Sequence, residues 1–169
     1  MIHWLKRLKR KPRQGRLEAI FIAPSAGVPM LSVTSTQALV GLGLEGDRYA
    51  LKQGYWKATE ACEVTLISEQ DLQRARRRQA PSSLEQGSHR RNLVISGLSC
   101  SDLKGYDIEI GRSILRDHKP RPPCGYLDQI EGKGLAKALG RNSGICLHVI
   151  QSGLIRVGDV IQLISEGDR

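Results

Sequence analysis

Aromatic side chains are scarce in this chain of 169 residues: one phenylalanine, two tryptophans and four tyrosines. A protein that binds nucleic acid by stacking bases on aromatic platforms needs more of them, so nucleic acid is not an expected partner. No apolar run approaches the roughly 18 to 20 residues that a membrane-spanning helix requires. The four cysteines, at 62, 100, 124 and 146, form no CxxC pair. The four histidines, at 3, 89, 118 and 148, are scattered, and no zinc spacing results. This usage fits free thiols in a reduced, cytoplasmic setting. The glycine-rich stretch from Gly41 to Tyr49 has neither the Lys-Ser/Thr of a Walker loop nor a GxGxxG pattern, which argues against a nucleotide cradle.

What is present is an ordinary globular composition, 40% hydrophobic and 25% charged, in a length that suits one domain. The formal charge of +9 is uneven. Residues 1–16 hold seven of the 26 basic side chains and none of the 17 acids, leaving 19 against 17 in the remainder, a net of +2. The high isoelectric point is therefore a property of the terminus. Met1, Trp4, Leu5 and Leu8 fall on one helical face of that terminus. Such a helix suits peripheral contact with an anionic membrane surface through residues 1–14, or else forms a solvated arm. It lacks the apolar core and cleavage site of a signal peptide. The expected organisation is a basic arm at 1–15, one domain at 16–165 and a polar tail at 166–169.

Inside the domain the pattern is one of short extended runs punctuated by glycine and proline. Leu17–Ile22, Met30–Val33, Cys62–Ile67, Leu93–Ser96, Asp107–Ile110, Ser113–Arg116, Gly144–Ile150 and Val160–Ile164 read as strands. Ser68 followed by Glu69 and Asp71 predicts a capped helix running to about Gln79, with the Arg74–Arg78 cluster placed to suit its C-terminal dipole. Gly134–Gly140 reads as a second short helix with a glycine stop. Many short strands with two or three helices predict a mostly β fold, a barrel with small helical additions.

Two places carry chemistry. In Lys119-Pro120-Arg121-Pro122-Pro123-Cys124-Gly125 three prolines remove backbone donors and predict a stiff exposed bend without helix or central strand. Cys124 is then either a half-buried structural cysteine or a thiolate favoured by the cations Arg116, Lys119 and Arg121. At the entrance to a strand, Arg90 and Arg91 before Asn92 form a good anion clamp, because guanidinium offers a planar fork of donors. Asp47-Arg48, in the glycine-rich turn, reads as a structural ion pair at an ordered rim.

Gly43-Leu44-Glu45-Gly46-Asp47-Arg48, Val64-Thr65-Leu66-Ile67-Ser68, Arg90-Arg91-Asn92-Leu93-Val94, Pro122-Pro123-Cys124 and the closing Gly153 with Gly158-Asp159 together resemble the MOSC domain, found at the C-terminus of molybdenum-cofactor sulfurases. The resemblance spans about residues 16–164. It implies a closed or partly open β-barrel similar to the barrel domain of pyruvate kinase. It also implies a cysteine, here Cys124, that ligates molybdenum or carries sulfur. Arg48 and Arg90 match positions that grip the pterin cofactor in the related amidoxime-reducing enzymes, with Asp47, Arg91, Asn92 and Arg121 beside them. Two departures stand out: Arg91 occupies a position where many members have Glu or Pro, and no aminotransferase-like domain accompanies the motifs, so pyridoxal phosphate is not implied. The resemblance thus implies a molybdopterin-binding protein that reduces N-hydroxylated small molecules with an external reductase. The alternative it allows is a carrier holding a persulfide on Cys124 after delivery by a sulfur-donor protein. The cofactor use requires Cys124, Arg48 and Arg90 to converge on a cavity of about 300 Å³ or more, with the arginines about 6 to 15 Å from the sulfur; direct Arg–Cys contact would instead mark a thiolate activated for sulfur transfer.

Overall fold

A run of β-branched and leucine residues that alternates sides can bury one face and leave the other for a second layer, and the strands of this chain use both faces. The computed structural model describes residues 13–55, 62–78 and 82–165. The basic arm before residue 13, the polar tail from 166 and Gln79 lie outside the described residues.

Strands β1 (Gly15–Ile22), β5 (Val64–Ser68), β6 (Leu93–Ser96), β7 (Asp107–Ile110), β8 (Ser113–Pro120), β9 (Ile145–Gln151) and β11 (Val160–Ile164) pair in the order β11-β7-β8-β9-β5-β6-β1. A β1–β11 pairing closes the ring, giving a seven-strand barrel with β2 (Leu31–Val33) attached outside it to β1. A separate three-stranded sheet joins β3 (Ser35–Leu39) to β4 (Gly43–Leu44) on one side and β10 (Gly153–Arg156) on the other. The expected barrel is therefore observed; β10 falls in a segment whose glycines and short length read as turns.

Within the ring β5–β6 is a parallel pair and the other pairings are antiparallel. A parallel pair needs a crossover, and here it is α1 (Glu69–Arg77) followed by a 3-10 turn at Ser82–Gln86, where proline and serine residues suggest only loop. Ser68 caps α1 as its sequence predicts: its hydroxyl accepts from the Asp71 amide while the Asp71 carboxylate accepts from the Ser68 amide. The arginines at its C-terminal end pair with acids: Arg76 with Glu69 and Glu85, Arg74 with Asp71.

Two cores follow from the alternation. Leu17, Ile20, Leu66, Leu93, Ile95, Leu115, Leu147 and Ile161 fill the barrel, while Phe21, Ile67 and Val94 point outward to α1, α2 (Gly125–Glu131) and α3 (Leu135–Leu139). In β1 the inward residues Leu17 and Ile20 are three apart because a register shift against β6 lies between Leu17 and Ala19.

Two expectations are corrected. The thiols are not all free: Cys62 and Cys146 form a disulfide, with Cα atoms 5.5 Å apart. The registers Val64↔Leu147 and Thr65↔Cys146 bring the chain just before β5 alongside β9, a proximity that the separation of 84 residues conceals. Nor does the proline segment exclude a helix, and the strand it carries is an edge, as the expectation of no central strand allows. β8 runs through Lys119 and Pro120, and α2 starts immediately after Cys124. β7 is registered only with Ser113–Arg116, so the last residues of β8 have β9 alone as a ladder partner, and an edge position tolerates proline.

Candidate functional site

Strand registers explain why residues far apart in sequence meet. Leu66 of β5 is registered with Leu93 of β6 and with Ile145 of β9, and Ile145 with Pro120 of β8. One row across four strands thus connects the segment just after Arg91 to the segment just before Arg121. The side chains bridge what remains: Arg91 Nη2 donates to the Arg121 carbonyl at 2.7 Å.

A cavity of about 370 Å³ opens there, in the range of small-molecule sites. Arg48, Arg90, Arg91, Lys119, Arg121 and Cys124 line it, together with Tyr49, Tyr55, Tyr126 and apolar residues of α2. No aspartate or glutamate is among its lining residues within the described parts of the chain. Cys124 is exposed at the N-cap of α2. Cys100, the other cysteine outside the disulfide, is buried and hydrogen-bonded to Asp71. Burial, and then the charge of Asp71, push its thiol up to about 12, so it stays protonated and inert at neutral pH.

Each arginine is held in a different way. Arg48 is buried; its Nη1 donates to Asp47 Oδ1 at 3.0 Å and to Met30 Sδ, and its Nη2 donates to the Arg90 carbonyl at 3.1 Å. Its guanidinium also lies 4.7 Å from the centre of the Tyr49 ring. Arg48 therefore fastens Arg90, which has φ of +57°, a left-handed conformation that a non-glycine residue keeps only where its surroundings enforce it. Arg90 Nη1 donates to the Val28 carbonyl at 2.6 Å and to Glu131 Oε1 at 3.1 Å. Burial, followed by the charge of Arg48, lowers its pKa, while Glu131 opposes the shift. Arg91 is drawn down to about 10 by burial and then by Arg121, so it remains a cation at pH 7. A Cβ at Gly144 would stand 2.5 Å from Arg91 Nε, so this position accommodates only glycine while Arg91 keeps its path past β9. Arg121 Nη2 reaches the Tyr49 hydroxyl at 3.2 Å.

Two of the expected binding residues stand behind the wall. Asn92 is fully buried: its Oδ1 accepts from the Thr65 amide and hydroxyl, and its Nδ2 donates to the Phe21 carbonyl, tying β5, β6 and β1 together. Asp47 does not stand at the rim but is wholly buried, accepting from the Ala23 and Tyr49 amides and from Arg48. A buried carboxylate needs this set of donors, and it forms the structural ion pair its sequence suggested. The tyrosines and Glu131 carry no motif; Tyr126, two residues after Cys124 and stacked on Tyr55 at 3.8 Å, is the one whose position could have flagged it.

The fold and the site together define a closed seven-strand β-barrel domain with external helices and a basic, thiol-bearing cavity. The model of the MOSC domain family matches residues 54–162, and the chain belongs to that family. Cys124, Arg90, Arg91, Asn92 and Arg121 lie within the matched segment, whereas Asp47 and Arg48 precede it. Among solved structures, the YUAD protein from Bacillus subtilis is similar with a TM-score of 0.71 at 18% identity, over 90% of this chain and 97% of that one. YiiM from Geobacillus stearothermophilus has a TM-score of 0.64 at 20% identity, covering 90% and 76% of the two chains. YiiM from Escherichia coli has a TM-score of 0.63 at 21% identity, covering 89% and 70%. At these identities the likeness is one of fold. No curated protein sequence matches the chain. The MOSC family is associated with binding of the molybdenum cofactor.

Proposed function

We propose that this chain binds the molybdenum cofactor in the basic cavity and uses it to reduce N-hydroxylated small molecules, with electrons from an external reductase. The observation that carries the reading is an exposed thiol and five cationic side chains around one cavity with no carboxylate among its described lining residues. The residues fit the group. Among the described residues, buried Arg90 Nη2 and Arg91 Nε have no hydrogen-bond partner, a demand that phosphate oxygens would meet. A thiolate at Cys124 suits molybdenum, which favours soft sulfur ligands.

In this reading Arg90, Arg91 and Arg121 would hold the phosphate, Arg48 would fix Arg90 in place, and Cys124 would ligate the metal. When bound, the cofactor supplies the redox chemistry, and the protein contributes binding and orientation. Purification from a cofactor-producing host followed by molybdenum analysis tests the assignment. Wild-type protein should carry the metal and Cys124→Ala should lose most of it; metal-free wild type, or a fully loaded Cys124→Ala, rejects the ligand role.

A second reading is favoured by the lack of any histidine or carboxylate among the cavity's described lining residues, which leaves no acid–base pair for turnover. Cys124 would then carry a persulfide for transfer to a partner. Mass spectrometry after incubation with a cysteine desulfurase decides: added sulfur on the Cys124 peptide supports a carrier, and its absence removes that reading.

A further inference from the structure

The helix that forms one wall of the cavity is anchored at both ends to the site. α2 carries Cys124 at its N-cap, presents Tyr126, Leu127 and Ile130 to the cavity, and ends at Glu131. The Glu131 carboxylate accepts from Arg90 Nη1 at 3.1 Å, with the two side chains 19% and 6% exposed. Arg90 is thus a lining cation whose guanidinium is engaged by a carboxylate from the helix that forms the wall. Arg48 also pairs with a carboxylate, but its partner Asp47 is completely buried and fixed by two backbone amides, so that pair is part of the frame.

The Glu131 pair differs in kind. Gly132 follows with φ of +126° and ends the helix, and the neighbouring Asp128 is spent on the Gly134 and Ala136 amides at the start of α3. Glu131 itself makes no other hydrogen bond among the described residues, and it is part-exposed. The second Arg90 nitrogen, Nη2, is buried with no partner among the described residues. Arg90 therefore holds one nitrogen on the carboxylate and keeps one in reserve, the arrangement of a guanidinium that can receive a bidentate oxyanion if the carboxylate yields.

We propose that Glu131 is a built-in anionic competitor for Arg90: it engages the guanidinium that an oxyanion would take, lowers the cavity's affinity for oxyanions, and couples their arrival to the position of α2 and so of Cys124. Glu131 is a positioning residue, acting on ligand and thiol through Arg90. The inference rests on the reading of the cavity as an anion site, and the ligand chemistry it addresses is that of a phosphate group. A charged competitor removed from a part-buried site strengthens the remaining cation's pull on the ligand.

The test measures binding of inorganic phosphate by calorimetry to the full chain, its Glu131→Gln variant, and Glu109→Gln as a charge-matched control on an exposed position of β7 that does not line the cavity. Glu131→Gln should bind phosphate about three- to tenfold more tightly than wild type, and Glu109→Gln should match wild type. Glu131→Asp, one methylene shorter and still charged, should fall between them, and it serves if the glutamine variant does not fold. Equal or weaker phosphate binding by the Glu131 variants overturns the competitor role and leaves the anion site standing. A wild type and variants that all fail to bind phosphate overturn both. A merely structural Glu131 predicts weaker binding, because a loosened wall degrades the site.

Discussion

His89 shows how strongly this site depends on single buried groups. It is fully buried edge-on to Phe21, and its Nδ1 accepts from the Arg91 amide at 3.0 Å, which fixes the loop that aims both arginines. Burial, and then the charge of Arg91, push its pKa down to about 3 from the ordinary 6.5. The unfolded chain therefore takes up a proton below pH 6.5 that the native protein refuses, and stability falls as pH drops through that window toward 3. At pH 4.5 the loss from this group is on the order of 2–3 kcal/mol. Urea unfolding between pH 6.5 and 4.5 should show that decline in wild type and a shallower one in His89→Gln; identical slopes would remove His89 as the cause. At the same scale, Cys124, Arg48 and Arg90 were legible in the sequence because their surroundings there are distinctive: prolines, a glycine-rich turn and a paired arginine. Asn92 and Asp47 were legible as important positions, but whether a polar side chain faces a ligand or a buried backbone amide depends on packing that adjacent residues do not report.

Among the elements, strands with clear alternation and the capped helix α1 were readable, since hydrophobic period and cap chemistry are local. The extension of β8 through Pro120 was not, because whether a strand's edge is free depends on where its neighbour β7 stops. α2 was hidden by the prolines that precede it, although proline before a helix start does not oppose the helix. The disulfide is the clearest case of information absent from spacing. It staples the entry of β5 to β9 across 84 residues, and closing a loop of that size restricts the unfolded chain. Reduction should lower stability by about 2–4 kcal/mol, visible as a shift of the urea midpoint in reductant. Cys62→Ser should show the same loss without reductant and no further change with it. An unchanged midpoint for the wild type in reductant would mean that the pair contributes no stability.

For the whole molecule, barrel closure turns these separate segments into one site. β1 meets β11 and closes the ring, and the loops before β6 and after β8 then share one cavity with the turn that carries Arg48. The described residues contain no helix long and apolar enough to cross a membrane. In the proposed function this cavity holds molybdenum through the thiol of Cys124. X-ray absorption at the molybdenum edge, recorded on the loaded protein and on whatever metal Cys124→Ser retains, addresses it most directly. The account predicts one fewer sulfur neighbour in the variant, replaced by a lighter scatterer. An unchanged sulfur shell in the variant would contradict it.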